Sequence, residues 1–219
     1  MPPDAPPAPR AATHAASLLA ALVAPGRLAA LARTALLDSA AEDAFDRLTR
    51  LATAVIGAPV ALVSLVDADR QFFKSCVGLP EPWASRRETP LSHSFCQHVV
   101  ATGDALVIDD AREHPLVRDN LALRDLGVIA YAGIPLVTGD GHVLGSFCAI
   151  DDRPRAWTAR EIAILRDLAG AAATEIALRA EIVERRQAEA ERHAAWERER
   201  DARRDAEEAR ARAERATAQ

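Results

Sequence analysis

Between Leu91 and Val100 the chain reads LSHSFCQHVV, placing Cys96 between His93 and His98. A cysteine beside histidines can bind a metal, act as a nucleophilic thiolate, or pack as a small apolar side chain. Regular backbone keeps the three apart. On a helix His93 and Cys96 are neighbours, while His98 lies about 200° further round. On a strand Cys96 and His98 share one face and His93 takes the other. A metal site here would need irregular backbone and a further ligand, so no metal is expected. If Cys96 opens a helix, the N-terminal dipole and a nearby histidine favour its thiolate; the alternative is that it packs in a wall. Cys76 and Cys148 fall on expected strands, where burial is the default. Two of the three thiols within disulfide reach would make a redox sensor or a thiol enzyme possible.

The stretch IDDAREHPLVRDN comes directly after an expected strand and holds Asp109, Asp110, Arg112, His114, Asp119 and Asn120. Adjacent carboxylates can orient a polar ligand or act as acid and base, yet neighbours on extended chain point to opposite faces. The competing role for Asp110 is to cap the next turn. Tyr131, the only tyrosine, sits on a strand expected to face a cavity, with its hydroxyl on a ligand or a buried partner. The candidate ligand-binding set is therefore Cys96, His98, Asp109, Asp110, Asn120 and Tyr131. No catalytic residue is assigned, and no cofactor is implied.

These residues need a scaffold. MPPDAPPAPR is too rich in proline for helix or sheet and is expected to be disordered. AASLLAALVA predicts a short helix, and Pro25–Arg27 separates it from the next helical segment. Phe45, Leu48, Leu51, Ala52 and Val55 fall at helical spacing before Gly57, with Ser39 and Glu42 placed as a capping box. From Pro59 the pattern changes to β-branched and aromatic runs: PVALVSLVD, RQFFKSCVG, ALVIDD, GVIAYAGIPLV and VLGSFCAIDD. A helix over about Ser94 to Ala101 lies between the second and third runs. The set predicts an α+β fold, an antiparallel sheet flanked by helices.

From Thr158, a candidate N-cap, the chain is expected to be helical to its end. Ile162, Leu165, Ala169, Ala172, Ile176 and Val183 keep a heptad-like seam suited to a partner helix. Beyond the seam, eleven basic and eleven acidic residues from Arg179 onward make a self-compensating solvated helix, with i, i+4 pairs such as Glu181–Arg185, Glu199–Arg203 and Glu208–Arg212. A continuous helix would measure about 90 Å.

Composition narrows the function classes. With 219 residues, 49% hydrophobic, 27% charged and a net charge of -5, the chain has one ordinary core and no basic face for nucleic acid. Three cysteines without CxxC spacing make no disulfide framework, which favours a reducing cytoplasm. Ten apolar residues near the start are too few to span a bilayer, so no membrane partner is expected.

FDRLTRLA, VSLVDADRQFFKS, TPLSHSFCQHVVATG, IDDAREHPLVRDN, YAGIPL and VLGSFCAID, in this order over about Arg27 to Leu178, resemble a GAF domain of the kind that precedes bacterial sensor histidine kinases. The resemblance implies a six-stranded antiparallel sheet with helices on one face, a ligand pocket or its remnant on the other, and dimerisation through terminal helices. The tail resembles a signalling helix leading to a kinase or cyclase output. The expected organisation is a Pro/Ala-rich tail and short helix over 1–26, a GAF domain over 27–156, and a signalling helix over 157–219. The expected function is regulatory, without catalysis: a two-component-type sensor that binds a small molecule or responds to redox state. It would act as a homodimer on an output domain or a separate partner. The rivals are a thiol-dependent enzyme using Cys96, similar to GAF-fold reductases of free methionine sulfoxide, and a dimerising scaffold with a collapsed pocket. Bilin attachment is disfavoured, because Gln97 separates Cys96 from His98.

Overall fold

The computed structural model describes residues 9–217, with side chains from 16 to 215; of the segment MPPDAPPAPR expected to be disordered, the first eight residues lie outside this range, while Pro9 and Arg10 are helical and open α1. Six strands form one antiparallel sheet: β1 (Val60–Val66), β2 (Arg70–Val77), β3 (Glu88–Pro90), β4 (Leu106–Ile108), β5 (Ala130–Val137) and β6 (Val143–Asp151). Their order is β3-β2-β1-β6-β5-β4. The β1–β2 hairpin closes at DADR, where the Asp67 N–H donates to the Arg70 carbonyl at 2.8 Å. The sixth strand, β3, is three residues long and pairs only with β2. That is too short for a period-2 pattern to reveal.

Both faces of the sheet are covered, which is why its strands read as near-continuous apolar runs. On one face lie α2 (Pro25–Thr34), α3 (Asp43–Ile56) and the first turns of α7 (Ala159–Thr217). On the other lie α1 (Pro9–Leu22) and α5 (Cys96–Thr102), with the short helices α4 (Trp83–Arg86) and α6 (Ala122–Asp125) in the connecting loops. The short helix expected within 1–26 is α1, and its end packs into the fold. Leu22 is fully buried against the α5 face, Pro25 opens α2 rather than merely interrupting the chain, and Arg27 donates to the carbonyls of Leu22 at 3.1 Å and Val66 at 2.6 Å.

The capping box expected of Ser39 and Glu42 is replaced by something stronger. In β2, Val63 pairs with Ser75 and Ser64 with Phe73, leaving Lys74 as a bulge residue turned toward α3. Its ammonium is fully buried and donates to Ser39 Oγ at 2.7 Å, the Ala40 carbonyl at 2.6 Å and Glu42 Oε1 at 2.6 Å. Ser39 and Glu42 are consumed by the lysine, and α3 starts at Asp43. The same Glu42 oxygen accepts Arg179 of α7 at 2.7 Å. The buried stripe of α3 is Phe45, Thr49, Ala52 and Ile56, whereas Leu51 and Val55 are exposed. Thr49 can face the core because its hydroxyl bonds Ser75 at 2.8 Å.

The chain divides into two compact units after Arg179, not at the 156/157 boundary. Within the first unit, Leu165, Ala169, Ala172 and Ile176 are buried in the same core as Val63, Ile134, Phe147 and Ala149. These seam positions are satisfied inside the chain and are unavailable to a partner; Ile162 is half-buried beside them. Thr158 and Glu161 cap the helix start reciprocally, at 3.2 and 2.7 Å. Arg155 ties that start to Asp151 at 3.0 Å, the Ile56 carbonyl at 2.6 Å and Glu161 at 2.5 Å.

The second unit is solvated helix, with Val183 half-buried and Ile182 and Trp196 exposed. Of the expected ion pairs, Glu208–Arg212 forms at 3.8 Å, while Arg185 and Arg203 turn forward to Glu189 and Glu207. No single helix among the described residues is long and apolar enough to cross a membrane.

Burial would raise the Glu42 carboxyl, but Lys74 and Arg179 outweigh it and hold it below its ordinary 4.5. The unfolded chain lacks these partners, so this stabilisation is complete above pH 4.5 and is lost as pH falls through the depressed value. Glu42→Gln is expected to lower unfolding free energy by ~2 kcal/mol at neutral pH and to flatten the acid limb, as read by urea titration across pH.

Candidate functional site

The cross-strand pairing Ser64↔Ser146 and the neighbours Leu62↔Cys148 put two hydroxyls and a thiol on the α5-covered face. In β6, Ser146, Cys148 and Ile150 alternate with Phe147 and Ala149, which face α7. From β5, the Tyr131 hydroxyl reaches Ser146 Oγ at 3.1 Å and donates to Cys96 Sγ at 3.4 Å. Gly133, two residues along on the same face, makes this possible: a Cβ there would overlap the Tyr131 hydroxyl. α5 opens at Cys96 and places its thiol against this cluster. The polar chain continues through Gln71, whose Oε1 accepts Ser94 at 2.5 Å and Ser64 at 3.3 Å.

Hydrogen bonding to Cys148, with Ser146, Tyr131 and Ser64 assisting against burial, holds the Cys96 thiol below the ordinary cysteine range. The hydrogen bond with Cys96, reinforced by burial, pushes Cys148 up. Burial and the neighbouring Cys96 likewise push Tyr131 up. The proton is thus drawn from one thiol and kept on the other.

A cavity of about 20 Å³ adjoins Cys96, walled by Leu62, Phe73, Phe95, Val128 and Ile150, with Gln71, His93 and Tyr131 as its polar edge. That is room for about one water molecule. Ala122 and Leu126 close it from the α6 loop. His93 fastens this loop, its Nε2 lying 3.0 Å from Asp125; Arg124 and then His93 hold the Asp125 carboxyl down at about 2.

The expected site residues separate. Cys96 and Tyr131 meet at the cavity. His98 is buried in α5 but does not border it, so the His93-Cys96-His98 trio does not converge. Asp109 is exposed and accepts the Trp157 N–H at 3.3 Å. Asp110 takes the turn-capping role, accepting the Arg112 N–H at 3.0 Å and its guanidinium at 2.8 Å. Asn120 binds the Ser94 carbonyl at 3.2 Å and the Ala122 N–H at 2.9 Å, positioning the closing loop rather than lining the cavity. Sequence reasoning missed Ser64, Gln71, Ser94 and Ser146, and did not join Cys148 to Cys96. A signal existed: the tripeptide SFC occurs at 94–96 and again at 146–148.

Residues 40–176 match the GAF domain family, and the chain belongs to it. A cyclic di-GMP phosphodiesterase of Pseudomonas aeruginosa is 35% identical over 136 residues, 61% of this chain and 22% of that protein. The chain therefore spans under a quarter of that relative's length. Among solved structures, a domain of a putative two-component sensor histidine kinase from Sinorhizobium meliloti superposes with a TM-score of 0.53 at 21% identity, covering 67% of this chain and 99% of that one. The GAF domain of a phosphoenolpyruvate-protein phosphotransferase from Acinetobacter gives 0.52 at 16% identity, covering 74% and 99%. Both likenesses are of fold.

Tyr131→Phe removes one donor from Cys96 while keeping the ring's packing. The thiolate absorbance of Cys96, tracked by ultraviolet titration in a Cys76→Ser background, is expected to shift its midpoint up toward 9.0, with a stability loss of ~1 kcal/mol.

Proposed function

We propose that this GAF domain is a regulatory sensory module, not an enzyme, whose input is read at the Cys96 cluster and whose output leaves through α7. The observation carrying this reading is the thickness of one strand. Cys148 faces the cluster, while its neighbours Phe147 and Ala149 pack in the core that holds Leu165, Ala169, Ala172 and Ile176 of α7. A change in the packing of β6 on one side is felt on the other, because a close-packed interior transmits displacement. The small cavity favours redox state, or a ligand of very few atoms, over a metabolite.

The module works as a homodimer through α7, acting on a kinase, cyclase or phosphodiesterase type of output in another domain or a partner. Leu178 in the first unit and Ile182 and Trp196 in the second are exposed apolar side chains available to a second helix. Differential affinity of the input for two packings of that dimer sets the size of the response. The second reading with an observation behind it is a dimerising scaffold, since a cavity of about 20 Å³ also fits a collapsed pocket.

Sedimentation tests the output half. The full chain is expected to sediment as a dimer, and a chain ending at Arg179 to dissociate at tenfold or more higher concentration; unchanged association would count against α7 as the dimer helix. Native mass spectrometry tests the input half. No bound organic molecule is expected, and a stoichiometric metabolite would restore a ligand-binding pocket.

A further inference from the structure

We propose that Cys96 and Cys148 form a peroxide-driven, reversible dithiol–disulfide switch. This deepens the sensory reading and rests on it for its consequence, though not for its chemistry. The two thiols lie in one buried cluster, 2% and 0% exposed, and the Tyr131 hydroxyl that donates to Cys96 Sγ at 3.4 Å also bonds Ser146, two residues from Cys148 on the same face of β6. They come from different elements, α5 and β6, so a bond between them couples a helix to a central strand. The Tyr131 hydroxyl donates to the Cys96 sulfur and is itself bonded to Ser146, and the Ser64 hydroxyl lies on the same sheet face opposite Ser146, all inside an otherwise apolar cluster. A cysteine that only fills space needs no such donors, and burying them has a cost unless they are satisfied. Donors around a sulfur stabilise its anion, which is the form that attacks peroxides. Cys76 stands apart in a polar groove beside Asp46, Arg50 and Arg87, half-exposed, with burial raising its pKa.

The cavity selects the oxidant. It adjoins Cys96 and holds about 20 Å³, a water-sized space that a peroxide oxygen can enter and a bulky disulfide oxidant cannot. The Cys96 thiolate attacks one peroxide oxygen, the O–O bond breaks, and the departing hydroxide takes a proton to leave as water. Cys96 is then a sulfenic acid. The Cys148 sulfur attacks the Cys96 sulfur, the S–O bond breaks, and the oxygen leaves as water with the Cys148 proton. Two thiols and one hydrogen peroxide give one disulfide and two waters; a small dithiol reverses the change. Disulfide formation withdraws the sulfur that accepts the Tyr131 hydroxyl and draws β6 toward α5.

The full chain, treated with stoichiometric hydrogen peroxide and digested without reduction, is expected to yield a Cys96–Cys148 linked peptide that dithiothreitol removes. Cys148→Ser should instead accumulate a Cys96 sulfenic acid trapped by dimedone, Cys96→Ala should lose the reaction, and Cys76→Ser should react as the parent does. Oxidised glutathione should be at least tenfold slower than peroxide. Oxidation confined to Cys76, or an unreactive Cys96 in the parent chain, overturns the switch without reference to any variant's folding. Hydrogen exchange over Leu165–Ile176 separates the two claims: a disulfide that leaves α7 unchanged sustains the switch and sinks the sensory reading. Altered α7 exchange with no disulfide does the reverse.

Discussion

A sheet covered on both faces offers little water to the side chains within it, so a charge, hydroxyl or thiol buried there is costly unless it finds a partner inside the fold. That constraint organises this molecule. The buried Lys74 gathers Ser39, Ala40 and Glu42 around its ammonium. Ser75 serves both Thr49 and Asp46. On the opposite face Ser64, Gln71 and Ser94 form one chain, and Tyr131, Ser146 and Cys96 another. The polar clusters lie on opposite faces of the sheet, one beside Cys96 and the other beside α3.

The helical face is joined to the sheet at both ends of the first turns of α7. Arg155 fixes the start to Asp151 and to the end of α3, and Glu42 fixes Arg179 to the same carboxylate that neutralises Lys74. Between these fixed points Leu165, Ala169, Ala172 and Ile176 lie in the core. Such a helix cannot slide or rotate without disturbing part-buried ion pairs at both ends.

Long periodic segments are legible in the sequence, and short or shared ones are not. Five strands, Gly57 as the end of α3, the DADR hairpin and the Thr158 cap can be read from local pattern, because each is decided by residues a few positions apart. The seam from Ile162 to Val183 is legible too, but a period reports only that a face is buried, not against what. Its central residues serve the chain's own core. The Ser39–Glu42 box fails for a different reason: a lysine 32 residues beyond Glu42 competes for the same oxygens. In the site, residue type alone points to Cys96 and Tyr131. It does not point to Ser64, Gln71 and Ser146, since a serine in a strand declares nothing until register places it opposite another. Asp109, Asp110 and Asn120 have suitable chemistry for a ligand and are occupied with loop geometry instead.

Gly133 carries an implication for how this family of sequences can drift. The Tyr131 ring lies across the space a side chain at 133 would take, so the two positions hold one volume between them. A homologue with alanine or anything larger at 133 must carry a shorter residue at 131, and with it surrender the phenol beside the thiol. Inheritance at these two positions should move in step, and the pairing marks which relatives retain the same sulfur environment.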